Sequence, residues 1–84
     1  KKIIKLSHKS FVIDGRIHIN DLIKHNIFLS KGNYETVGGY IIEKLGKIPE
    51  KGNTLNSEFY KIRVLKASST QVEKIEIIKK TKKT

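Results

Sequence analysis

The sequence has no cysteine, no methionine and no tryptophan, and Pro49 is its single proline. Without cysteine there is no disulfide scaffold, no thiolate metal site and no cysteine nucleophile. Such a chain suits a reducing compartment, or one indifferent to redox. The missing methionine marks the chain as an expected piece of a longer protein, because Lys1 is too large to follow a routinely removed initiator. Long apolar runs are absent too. The longest, at residues 11–13 and 40–42, are strand-sized or fit one helix face. None approaches the roughly 18 apolar residues of a membrane helix. No secretory signal pattern is present.

What is present is 84 residues with a formal charge of +10. That length allows one small domain, burying about 60–65% of the surface its unfolded chain exposes. An apolar fraction of 37% against 31% charged suits a compact domain better than a disordered one. The positive excess is concentrated at the ends. Lys1, Lys2, Lys79, Lys80, Lys82 and Lys83 lie where there is no acid, and the rest of residues 3–78 carries only +4. Inside that span acids neighbour lysines, as in Glu43-Lys44, Glu50-Lys51 and Glu73-Lys74, which is how a solvated surface looks. The chain has 16 lysines and 14 isoleucines but two arginines, a bias that AT-rich codons produce. Nucleic-acid sites favour arginine forks and stacked aromatics. Only Arg16 and Arg63 are available, and neither basic end holds an aromatic. A nucleic-acid partner is therefore not favoured, and basic nucleic-acid binding stays as an alternative resting on phosphate attraction alone. Residues 3–78 read as the domain and residues 79–84 as a disordered basic tail.

Two β-prone runs at 3–6 and 11–13 are separated by polar residues and closed by Asp14-Gly15, where Asp14 is expected to bond the turn backbone and Gly15 to take positive φ. Asn20 is expected to cap a short helix with Ile19, Leu22 and Ile23 on one face, ended by Asn26. Ile27, Phe28 and Leu29 follow as an apolar patch. A second helix begins with Asn33 or Thr36 as its cap and repeats Val37, Tyr40, Ile41 and Leu45 at helical spacing. Gly46 stands at its left-handed end and Pro49 just beyond. Gly38 and Gly39 are costly in a first turn, by about 1 kcal/mol each, so close approach of this helix to a strand is expected to offset them. Three more strands are expected, a stub at 54–55 and longer ones at 59–67 and 72–78. The reading is an α+β domain: a small antiparallel sheet with two helices on one face, in the order β-β-α-α-β-β-β.

Reactive constellations are missing. His18, Asp21 and His25 have helical spacing, but His18 falls before the expected helix, and surface histidines are the reading; no metal site is assigned. The serines lie in turns, without a nucleophile elbow. The carboxylates mostly neighbour lysines, where ordinary solvated pairs are expected. No catalytic residue is assigned and an enzyme is not expected. Gly38-Gly39 at a helix start offers free N–H groups to an anion, yet neither G-x-G-x-x-G nor a glycine-lysine-serine loop is present.

One ordered set of motifs is more specific. Val12-Ile13-Asp14-Gly15-Arg16, then Tyr34-Glu35-Thr36-Val37-Gly38-Gly39-Tyr40, then Leu45-Gly46-Lys47-Ile48-Pro49-Glu50-Lys51-Gly52, then the strand at 59–65, closely resemble the CorC/HlyC transporter-associated domain. That family shows a V-D-G strand end, a Y-x-T-x-G-G helix start, an L-G-x-I-P-x-x-G loop and an F-x-I-x-V-L strand in this order. The resemblance implies a C-terminal regulatory or accessory module of a hemolysin-like membrane protein with a pair of CBS domains, linked to magnesium and cobalt efflux. It implies the cytoplasmic face of the membrane, partners among the parent's own CBS pair and membrane region, and a possible homodimer. The fold it implies is similar to the FAD-binding domain of certain flavin oxidases, so FAD or an adenine nucleotide is the alternative ligand, although no cofactor is expected. A ligand site, if present, falls at Thr36, Gly38, Gly39 and Tyr40, where a helix start meets close-packed backbone.

Overall fold

Alternation along a strand decides which side chains share a face. Phe11 and Ile13, Tyr60, Ile62 and Val64, and Ile75 and Ile77 recur two residues apart, and all are buried. The computed structural model, which describes residues 3–80, joins these segments in one antiparallel sheet. Its strands are β1 (Ile3–Lys5), β2 (Ser10–Asp14), β3 (Thr54–Asn56), β4 (Tyr60–Ala67) and β5 (Val72–Lys79). Their spatial order is β1-β2-β5-β4-β3. Between β2 and β3 lie a 3-10 helix (Ile19–His25) and helix α1 (Val37–Leu45). The α+β class and the element order expected from the sequence are both found.

Register lines the apolar residues up across the strands. Phe11 faces Ile77, which faces Ile62; Ile13 faces Ile75, which faces Val64. The helical layer closes over these rows with Ile19 and Leu22, Ile27 and Leu29, and Val37, Tyr40 and Ile41. The other face carries the row Val12, Glu76, Arg63 and Thr54, none of which is buried. Two register shifts, one between Val64 and Lys66 that skips a residue of β4 and one between Lys66 and Ala67 that skips a residue of β5, bring Val72 opposite Ala67. These shifts let Val72 reach the buried face although it is out of phase with Ile75.

The first helix departs from the expectation. It is a 3-10 helix whose N-cap is His18, with no side-chain cap, so Asn20 lies inside it and caps nothing. In a 3-10 helix residues three apart eclipse one another. Ile19 and Leu22 are therefore buried, while Ile23 is 47% exposed. Asn26 ends the helix, as expected, and does so in a left-handed conformation. Helix α1 is capped by Thr36 and closed by the left-handed Gly46, both as read from the sequence.

Two residues of the tail expected at 79–84 belong to the sheet instead. Lys79 is the last residue of β5, and the Lys80 N–H donates to the Phe59 carbonyl at 2.8 Å. Residues 81–84 lie outside the described residues.

Gly15, in the turn after β2, lies so close to β5 that an added Cβ would collide with the main-chain carbonyl of Val72. The Gly15→Ala variant is expected to lose about 3 kcal/mol in urea unfolding, because a strand backbone cannot yield as a side chain does. A loss no larger than that of an exposed surface substitution would refute this account of Gly15.

Candidate functional site

The turn after β2 and the start of α1 form one joint. The Asp14 carboxylate accepts the Arg16 main-chain N–H at 2.8 Å and two guanidinium bonds at 3.1 and 2.9 Å. These bonds hold its pKa down at about 2, the guanidinium hydrogen bond being the main cause. The Ile17 N–H closes the turn on the Asp14 carbonyl at 3.0 Å, and the Gly15 N–H donates to Glu73 in β5 at 3.0 Å. Gly15 has no positive φ, so the expectation that it serves a left-handed turn is corrected. Its role is closeness to β5.

The same turn caps the helix. The Val37 N–H donates to the Ile17 carbonyl at 2.9 Å and the Gly38 N–H to the Gly15 carbonyl at 2.8 Å. The Gly39 N–H donates to the Thr36 hydroxyl at 3.2 Å, and the Tyr40 N–H to the Thr36 carbonyl at 3.0 Å. A Cβ on Gly38 would sit 3.0 Å from the Gly15 carbonyl oxygen and 3.4 Å from the Val72 Cβ. The close approach to a strand expected of the two glycines is found at Gly38 and not at Gly39, which packs against Tyr34. The four sequence-selected residues therefore do not converge. Gly38 faces Gly15 and Val72, Gly39 faces Tyr34, and Thr36 spends its hydroxyl on the cap. Every amide from Val37 to Tyr40 already has an acceptor, which removes the donors that a phosphate cradle uses.

Tyr40 alone of the four opens onto a surface hollow, of about 360 Å³, shared with Phe28, Lys44, Leu55, Phe59 and Tyr60. Its ring packs edge-on against Tyr34 at 5.5 Å, and the Lys44 ammonium lies 5.7 Å from its centroid. Burial pushes its phenol pKa up. Phe28 and Phe59 are 60% and 52% exposed and were not selected from the sequence. Phase would have found them. Phe28 alternates with the buried Ile27 and Leu29, and Phe59 precedes the buried series beginning at Tyr60.

Among the described residues no three His, Cys, Asp or Glu side chains lie together as metal ligands do. His25 packs its ring edge-on against Phe11 at 5.8 Å, and the backbone of His18 bridges to Thr36. Asp14 and Glu73, which share a polar hollow, each face a cation: Arg16 at 2.9 Å and Lys66 at 3.7 Å.

The joint unites the V-D-G strand end and the Y-x-T-x-G-G helix start in one structure, and the comparisons agree with it. Residues 4–81 match the family model of the CorC_HlyC transporter associated domain. The chain belongs to this family. A polyamine export protein of Escherichia coli K12 is 28% identical over 78 residues, covering 89% of this chain and 17% of that protein. The domain thus spans under a fifth of that relative's length. A conserved protein of unknown function from Haemophilus influenzae Rd KW20 is 27% identical, with a TM-score of 0.84 over 95% of this chain and 100% of that one. The transporter associated domain of a Xylella fastidiosa Temecula1 hemolysin, solved in complex with Mg++ and Mn++, shares the fold at a TM-score of 0.78 and 23% identity. It covers 94% of this chain and 98% of that one. No helix of the described residues is long and apolar enough to cross a membrane.

Asp14 gives the joint a defined pH dependence. Its folded pKa of about 2 lies below the ordinary 3.8, so its contribution is complete above about pH 4 and is lost as pH falls toward 2. Arg16 is exposed, so solvent screening keeps the pair weak. Asp14→Asn is expected to lower the urea midpoint slightly at neutral pH, with the difference from wild type closing as pH falls toward 2. Urea midpoints measured across pH check this, and a constant difference would reject the ion pair as its source.

Proposed function

We propose that this domain is a non-catalytic regulatory or accessory module of a hemolysin-like membrane protein, acting on the export of multivalent cations. The observation that carries the reading is the family match across residues 4–81. The finer parts of the reading are that the parent carries CBS domains, that this domain lies on the cytoplasmic face, and that magnesium or cobalt is the cargo. The names of the relatives support cargo of this chemistry, since one is a polyamine exporter and another is a hemolysin domain solved with Mg++ and Mn++.

The domain's own chemistry supports modulation rather than carriage. A net charge of +10 repels a polycation or divalent cation at long range. The acids Asp14 and Glu73 are paired with Arg16 and Lys66, so a cation would have to displace them. Helix α1, whose first-turn amides are bonded internally, offers a nucleotide phosphate no ready cradle. What the domain offers a partner is a rigid surface, and the parent's CBS pair and membrane region are the partners proposed for it. A second copy of the domain is a further candidate.

Deleting residues 3–80 from the parent protein and measuring efflux of Mg2+, Co2+ and spermidine from cells tests this. The expected result is a severalfold change in the efflux of at least one cation, with the parent still reaching the membrane. Unchanged efflux of all three overturns the reading.

A further inference from the structure

Two large aromatic rings stand in solvent at one end of the sheet. Phe28 and Phe59 are 60% and 52% exposed, and both line each of two adjoining hollows. One hollow holds Tyr40 and Lys44, and the other, of about 370 Å³, holds Lys79 and Lys80. The rings are presented by fixed backbone. The Phe28 N–H donates to the Tyr60 hydroxyl at 2.7 Å, and the Phe59 carbonyl accepts the Lys80 N–H at 2.8 Å. An exposed apolar pair held in this way marks a surface that meets an apolar partner.

The charge around the rings is one-sided. Glu58 is the only acid lining either hollow. The Lys79 ammonium donates to the His25 carbonyl at 2.8 Å and that of Lys80 to the Ser57 carbonyl at 2.7 Å. Among the described residues neither lysine is paired with a carboxylate. The tip of the β1–β2 hairpin belongs to the same end, because the Lys79 N–H donates to the Lys9 carbonyl at 2.7 Å. At the opposite end of the sheet the acids are taken up: of the three basic residues lining the hollow there, Arg16 is paired with Asp14 and Lys66 with Glu73.

We infer that the Phe28–Phe59 end of this domain docks on an anionic lipid surface, the rings entering the interface and the lysines facing lipid phosphates. Exposed aromatics ringed by lysines match both layers of such a surface, the apolar boundary and the negative headgroups. A second copy fits less well, since a two-fold contact through this patch sets Lys44, Lys79 and Lys80 against the same lysines. A nucleic acid fits less well too, because no arginine lines either hollow. The inference rests on this surface alone and does not depend on any transport role.

The absence of tryptophan makes a direct probe available. The Phe59→Trp chain is mixed with vesicles of equimolar phosphatidylcholine and phosphatidylglycerol, and with vesicles of phosphatidylcholine alone. The expected result is a blue-shifted emission on the anionic vesicles, with binding about tenfold or more tighter than on the neutral ones and weakening as salt is added. In co-sedimentation of the otherwise unaltered chain, the paired change Phe28→Ser and Phe59→Ser is expected to weaken binding about tenfold. The pair Lys66→Gln and Lys74→Gln, at the far end, is expected to cost less than about threefold. Circular dichroism melts establish that each variant is folded. Equal binding to both vesicle types, an unshifted emission, or equal losses from the two ends overturns the inference. So does a dimer abolished by the Phe changes in a chain that ignores vesicles, or selective binding of single-stranded nucleic acid instead.

Discussion

The structure depends on a single close contact, in which the backbone of Gly15 is held between strand β5 and the first turn of helix α1. The Gly15 N–H donates to Glu73 and its carbonyl accepts from Gly38, so one residue bonds a strand on one side and a helix on the other. Both glycines are required by distance. The space where Gly15 would carry a Cβ is filled by the Val72 carbonyl, and that of Gly38 abuts the Gly15 carbonyl. A helix start normally leaves its first amides without partners. Here main-chain carbonyls of a neighbouring turn serve the first two, and the Thr36 cap serves the next two. The cost of glycine in a helix is offset by this hydrogen bonding and by the packing it permits.

From that contact the rest of the helical layer follows. Once α1 is docked on β5, Val37, Tyr40 and Ile41 reach the rows formed by β2, β5 and β4, and the 3-10 helix fills the remaining edge with Ile19 and Leu22. The central strand is the last in sequence and pairs with β2 from the opposite end of the chain. The core is thus completed only when both ends of the chain have met, through contacts distant in sequence. Such long-range pairing is slow to form but leaves a small domain without an independent subunit to peel away.

The two ends of the sheet have different chemistry. At the Asp14 end both acids are paired, Asp14 with Arg16 and Glu73 with Lys66, and Asp14 holds the turn. At the Lys79 end two aromatic rings stand in solvent beside lysines, with one acid among the described lining residues. This polarity suits a module whose work is done by its surface. The glycine-rich helix start and His25 are, by contrast, occupied with packing.

How much of this was legible without coordinates depended on the range of the interaction involved. Local signals were sufficient for narrowing the α1 cap to Asn33 or Thr36, for the helix ends at Asn26 and Gly46, and for the alternation in β4 and β5, because each is settled within a few residues. The ordered motifs from Asp14 to Leu65 identified the family for the same reason. The helix type at 19–25 was misread, since the difference between burying Ile23 and exposing it is decided by what packs alongside. The significance of Gly15 was misplaced in its φ, because only the fold brings Val72 against it. Phe28 and Phe59 read as strand and patch residues until the fold turned them outward together. The sequence by itself determined the elements, their order and the family, all of which rest on spacing along the chain. The tertiary structure decided which backbone atoms meet and which side chains remain in solvent, because those depend on contacts between residues far apart in sequence.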